Sequence, residues 1–166
     1  PGACTERSVI LTVTPDVNPP HLVSVGSLDG IHVGLCYNEP VDPITGGDSF
    51  NYLVNGGAAV VSGVELLAGG RRAVITLSTP ISGVFTVDAT AISDLASMPN
   101  TGDSSATGRV MGLTAMDIGN PGDPIFMGTN FVCTSNTIEV TAGGHDIWDN
   151  QDGFNFIYTQ LTGDFD

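Results

Sequence analysis

The sequence predicts an all-β fold of the sandwich class. Three observations carry this. Short apolar, β-branched runs recur about every eight to twelve residues, separated by Gly, Asn, Asp and Pro. No useful window shows a 3.6-residue apolar period, so helix is expected to be minimal. The composition suits strands and tight turns: 41% hydrophobic, only 13% charged, with 22 Gly and 10 Pro in 166 residues.

The elements follow in chain order. Ser8-Val9-Ile10-Leu11-Thr12-Val13 alternates with no hairpin partner before it and reads as an orphan strand of something upstream. Residues 1–15 are therefore set apart, and Thr14 to Pro20 reads as a proline-rich linker. Leu22 to Leu28 is a strand leading into Asp29-Gly30, a two-residue hairpin turn. Ile31 to Tyr37 puts Ile31, Val33, Leu35 and Tyr37 on one face, with His32, Gly34 and Cys36 on the other. Asn38 to Pro43 breaks this strand. Further strands are expected at Phe50–Val54, Ala58–Leu67, Ala73–Leu77 and Val84–Val87. Ile92–Met98 reads as one helical turn, Thr101–Thr107 as a small-residue loop, and Gly108–Met116 as the closing strand. These make one sandwich over residues 16–116. Beyond Asp117 the texture changes, and Ile125–Thr134, Thr137–Thr141 and Phe154–Thr159 read as three more strands. Fifty residues with three strands are thin for an independent sandwich, so residues 117–166 are expected to be an incomplete β segment.

Charge excludes several classes of partner. Eighteen acidic residues stand against four basic ones, none of them lysine, giving a net charge of −14. Such a chain repels nucleic acid and anionic membrane. No stretch is long and apolar enough to span a bilayer. Without lysine there is neither a Schiff-base lysine nor an intrachain Lys–Asn crosslink. The start Pro1-Gly2-Ala3-Cys4 lacks an initiating Met, and the expectation is a processed or excised piece; export is expected from the overall style of the sequence, not from an address.

Cys4, Cys36 and Cys133 allow one disulfide and a leftover thiol, three reduced thiols, or a bridge between chains; their spacing does not suggest zinc. Asp146, Asp149 and Asp152, beside His145 and Trp148, are the candidate ligands for a hard cation such as calcium. Their every-third-residue spacing departs from a calcium loop, and an ordinary polar turn is the expected reading. No cofactor is expected. His21 and His32 have no visible partner, Glu39 is expected to accept hydrogen bonds in a turn, and neither a paired-carboxylate arrangement nor a nucleophile elbow is present. The expectation is a protein that is not an enzyme.

Pro19-Pro20, Val23-Ser24-Val25, Tyr37-Asn38-Glu39-Pro40-Val41-Asp42-Pro43, Asn51-Tyr52 and Ser93-Asp94-Leu95-Ala96-Ser97-Met98-Pro99 fall in an order that resembles the Ig-like domains of bacterial surface-layer and cell-surface proteins, over residues 19–112. Ser97-Met98 departs from the Gly-Asn that family often carries. Asp117-Ile118-Gly119, Gly143-Gly144-His145-Asp146-Ile147-Trp148, Asp152 to Tyr158 and Leu161 to Asp164 resemble the opening of a concanavalin-like (laminin-G-like) β-sandwich. The combined expectation is an Ig-like β-sandwich plus a partial second β-sandwich segment, at the bacterial cell surface or outside the cell.

An incomplete sheet leaves edges and apolar faces to cover. The expected function is a structural subunit of an extracellular fibre or surface assembly. It would polymerise head to tail by strand complementation, with Val9, Ile10, Leu11 and Val13 donated to the sheet carrying Phe154, Phe156 and Tyr158. The alternative is a non-catalytic spacer or carbohydrate-binding module of a larger secreted enzyme or adhesin, carbohydrate being the ligand the concanavalin-like resemblance implies.

Overall fold

The structure is a computed structural model that describes residues 14–118, 129–134, 136–142 and 153–164. It is an all-β fold. The strands are β1 (Leu22–Ser27), β2 (His32–Tyr37), β3 (Tyr52–Val54), β4 (Val61–Leu66), β5 (Arg72–Leu77), β6 (Val84–Ser93), β7 (Thr101–Arg109), β8 (Thr114–Ile118), β9 (Thr129–Phe131), β10 (Glu139–Thr141) and β11 (Phe154–Tyr158). A four-stranded sheet in the order β1-β2-β5-β4 faces a three-stranded sheet in the order β3-β6-β7. Two antiparallel ribbons, β9–β10 and β8–β11, follow.

The core lies between the two larger sheets. Leu35, Val33, Ile75, Phe85, Val87 and Ile92 are almost wholly removed from solvent, each such side chain contributing about 1.5–3 kcal/mol by leaving water. The alternation read from β2 holds: Val33, Leu35 and Tyr37 point inward. Two tyrosines close one end of this core. The Tyr37 hydroxyl donates to the Tyr52 hydroxyl at 3.0 Å, and Tyr52 donates to the Gly46 carbonyl at 2.7 Å. Burial, reinforced by the facing phenol, raises the Tyr37 pKa; burial likewise raises that of Tyr52.

The sandwich closes along one side by a seam. β1 and β7 run in the same direction, with a parallel bridge between Ser27 and Val110. The Leu22 amide donates to Ser104 Oγ at 3.0 Å, and the amides of Met111 and Leu113 donate to the carbonyls of Ser27 and Leu28 at 2.9 and 3.0 Å. The chain therefore enters the sandwich at Leu22 on one end and leaves past Val110 at the opposite end.

Several local expectations need correction. Thr101–Thr107 is no loop but most of β7, paired along β6. Its inward positions Gly102, Ser104, Ala106 and Gly108 are small because β1 lies over them: a Cβ on Gly108 would strike the Val25 carbonyl, and one on Gly102 would strike Pro19. Ile92–Met98 makes no helical turn, since β6 continues to Ser93. Asp94 then folds the bend by accepting the Ala96 and Asn100 amides at 3.1 and 2.9 Å. Gly108–Met116 is not one strand; β7 ends at Arg109 and β8 begins at Thr114. Phe50 sits in a 3-10 turn ahead of β3. The break after β2 holds a one-turn helix, α1 (Pro43–Gly46), whose N-cap Asp42 accepts the Ile44 and Thr45 amides.

Candidate functional site

The outer face of the four-stranded sheet carries His32, Gly34 and Cys36 of β2, with Gly26 of β1 paired across from Gly34. Residues 131–134 run across this face. A Cβ on Gly34 would strike the Val132 carbonyl, and one on Gly26 would strike the Thr134 backbone. Glycine in a strand interior here serves a close backbone approach. Val132 is buried at the contact. Cys133 is bonded to Cys36 with Cα atoms 5.8 Å apart. Arg72 of β5 completes the attachment: its guanidinium lies 5.0 Å from the centre of the Phe131 ring and pairs with Glu139 of β10. An arm running from β9 to β10 is thus fastened to the sheet by a covalent bond, an ion pair and backbone contact.

Two cavities flank Phe131. One of ≈ 340 Å³ reaches Leu28, Asp29, Val74 and Ala115; the other, of ≈ 500 Å³, reaches Glu65, Leu67, Arg72 and Thr141. His32, Val74, Asn130 and Phe131 line both. Asn130 Oδ1 is buried without a hydrogen-bond partner, which leaves an acceptor free for a donor. Asp29 Oδ1 accepts the Ile31 and His32 amides, both at 2.8 Å, and Oδ2 meets the His32 ring at 2.7 Å. Partial burial works to raise the Asp29 pKa, but these hydrogen bonds outweigh it and hold the carboxyl below its ordinary value.

The aromatic strand expected near the C-terminus is β11, paired with β8 in the register Phe154–Ile118, Phe156–Met116 and Tyr158–Thr114. Its alternation places Phe154, Phe156 and Tyr158 on one face. Phe154 and Phe156 meet edge to face at 6.2 Å, while Phe156 and Tyr158 stack at 5.5 Å. That face is open: Phe154 and Phe156 are 45% and 46% exposed, and Met116 is 43% exposed. Among the described residues β11 pairs only with β8.

The other expected site residues divide clearly. Val9, Ile10, Leu11, Val13 and Cys4 lie outside the described residues, as do Asp146, Asp149 and Asp152. A different acidic group does come together. The carboxylates of Asp16, Glu39 and Asp94 lie within 4.8 Å of one another where the linker meets the sandwich. Asp94 is already engaged. The Asn100 side chain donates to Oδ2 at 2.7 Å, and the Ala96 and Asn100 amides take Oδ1. The Asn100 side chain is the main cause that holds the Asp94 pKa below the ordinary carboxylate value. This arrangement organises a bend. Sequence reading missed the arm's seat on the sheet. Gly26 and Gly34, at outward positions of adjacent strands and beside Cys36, were the available signal.

No family model matches the sequence, and no curated protein matches it. Among solved structures, the chain is similar to the N-terminal part of the bacterial S-layer protein SbsC, with 19% identity and a TM-score of 0.47 over 75% of this chain and 31% of that one. It is similar to domains 1-6 of surface layer protein SbsC, with 18% identity and a TM-score of 0.48 over 78% of this chain and 20% of that one. It is also similar to the S-layer protein rSbsC(31-844), with 16% identity and a TM-score of 0.49 over 82% of this chain and 25% of that one. The chain spans less than a third of the length of each.

Proposed function

We propose that this chain is a structural module of an extracellular fibre, sheath or surface layer that builds by self-association. Residues 16–116 form its spacer body and residues 117–166 its assembly segment. The observation that carries this reading is the β8–β11 ribbon. Its aromatic face is open, and β11 has one strand partner among the described residues. An edge and an apolar face of this kind accept an added strand. Ser8–Val13 of a neighbouring copy, with the apolar side chains of Val9, Ile10, Leu11 and Val13, has the alternation such a strand needs. The Cys36–Cys133 bond supports an oxidising location outside the cytosol.

Sedimentation velocity across a concentration series tests this. The expected result is concentration-dependent association, with filaments or arrays in negative stain, abolished by Phe156→Asp and by deletion of residues 8–13. A chain that stays monomeric throughout the series overturns the proposal.

One observation favours the second reading, a monomeric carbohydrate-binding spacer. Asn130 lines both cavities beside Phe131, and its Oδ1 is buried without a hydrogen-bond partner. Saturable binding of a glycan by the monomer, lost in Asn130→Ala, would place the module in that class.

A further inference from the structure

The path of the chain through the sandwich and the position of its disulfide together assign this module a mechanical property. Load arriving from the linker reaches the sandwich at Leu22, the first residue of β1. Leu22 pairs with Tyr37, and the next pair in the register is Ser24–Cys36. Cys36 therefore stands beside the point of entry. Its bond to Cys133 connects that point directly to the arm. The shortest covalent route between the two flanking segments then runs along β1, around Asp29-Gly30, and back along β2 to Cys36. Residues 37–132 lie off this route, although they hold β3 to β9 and most of the core.

We propose that the Cys36–Cys133 bond is a covalent stop. It keeps residues 37–132 out of the line of force and so limits how far the module can lengthen when its two flanks are pulled apart.

The two states of the bond load different contacts. With the bond closed, and once the β8–β11 ribbon has been pulled open, force enters at Leu22 and leaves at Cys36, on neighbouring strands at the same end. The β1–β2 hairpin is opened from its Leu22–Tyr37 end, one pair after another. With the bond open, force leaves the sandwich past Val110 at the far end. It then acts along β1 and β7 in opposite senses, so the seam contacts Leu22–Ser104, Ser27–Met111 and Leu28–Leu113 bear the load together. The open form resists until the seam fails and then releases the whole sandwich. The closed form yields earlier but gives out only a short length. Both cysteines are only partly buried.

The proposal rests on the structural role proposed above, but its test uses single molecules and does not depend on assembly. The full chain, tethered by its two ends, is stretched before and after addition of dithiothreitol. One thiolate of the reagent attacks a cystine sulfur and displaces the other as a thiolate. The second reagent thiol then closes the cyclic disulfide, so the protein gains the two electrons the reagent loses. Because the bond spans a sequence separation of 97, the reduced chain is expected to gain about 320–350 Å more total length than the oxidised one. Its first sandwich-unfolding step is expected at a higher force. Cys36→Ser/Cys133→Ser is expected to behave as the reduced chain; reducing the folded wild type and reoxidising it keeps the test valid if that variant does not fold. Equal total lengthening in both states overturns the proposal, as does a first step at lower force in the reduced chain or peptide mapping that joins either cysteine to Cys4.

Discussion

At the scale of single residues, the two buried tyrosines show how a polar group is kept inside an apolar core. Tyr37 donates to Tyr52, and Tyr52 donates its own hydroxyl hydrogen bond to the Gly46 carbonyl. The chain of donors ends on backbone, with each hydroxyl hydrogen used. Removing a member has unequal consequences, because an unmet buried polar group costs about 1–3 kcal/mol while a bond lost with its partner costs little. Tyr52→Phe strands both the Tyr37 hydroxyl and the Gly46 carbonyl. Tyr37→Phe removes only a donor, and Tyr52 still reaches Gly46. Urea unfolding is expected to show Tyr52→Phe losing about 2 kcal/mol or more, and Tyr37→Phe about half that. Equal losses would mean that the two hydroxyls do not form the relay seen here. Asp94, itself buried, follows the same logic at the bend after β6. Three donors converge on its carboxylate, which turns the chain without helix.

At the scale of elements, β7 is the instructive strand. Its inward row of Gly102, Ser104, Ala106 and Gly108 lets β1 lie close enough to form the seam. Gly108 bears most on this, since an added Cβ meets both the Val25 carbonyl and the Phe85 ring. Backbone cannot yield as a flexible side-chain tip does. Gly108→Val is therefore expected to push β1 away from β7 and lower stability by about 1–3 kcal/mol or more. Amide hydrogen exchange would show the loss first at Met111 and Leu113, whose amides donate across the seam. Unchanged protection there would refute this account of the strand. The same strand explains what could be read from sequence. β2 was legible because its buried face is apolar and its period is two. β7 was not, because its pattern is one of size rather than hydrophobicity, and small residues read as loop. The bend at Asp94 was misread as helical because an Asx-type turn and a helix start share their first residues. Of the candidate site, the aromatic alternation of β11 was legible. The seat of the arm was not, because it depends on which strands become neighbours.

At the scale of the molecule, the arm and its disulfide join parts that the sequence separates widely. The sandwich buries its own core between two sheets, and the arm then lies on the outside of one of them. The bond is therefore not needed to define the core. It acts mainly on the unfolded chain, where it closes a loop with a sequence separation of 97. For a loop near that size the chain-entropy account gives about 4–5 kcal/mol, against the total of about 5–15 kcal/mol expected for a folded domain. Cys36→Ser/Cys133→Ser should keep the sandwich and lose about 4–5 kcal/mol in urea unfolding followed by circular dichroism. Its denaturant slope should rise, since an unlinked unfolded chain exposes more surface than a looped one. A loss below about 1 kcal/mol with an unchanged slope would mean that Cys36 and Cys133 are not joined in the folded protein. A comparable loss accompanied by collapse of the sandwich's far-ultraviolet spectrum would mean that the arm takes part in building the core rather than resting on it.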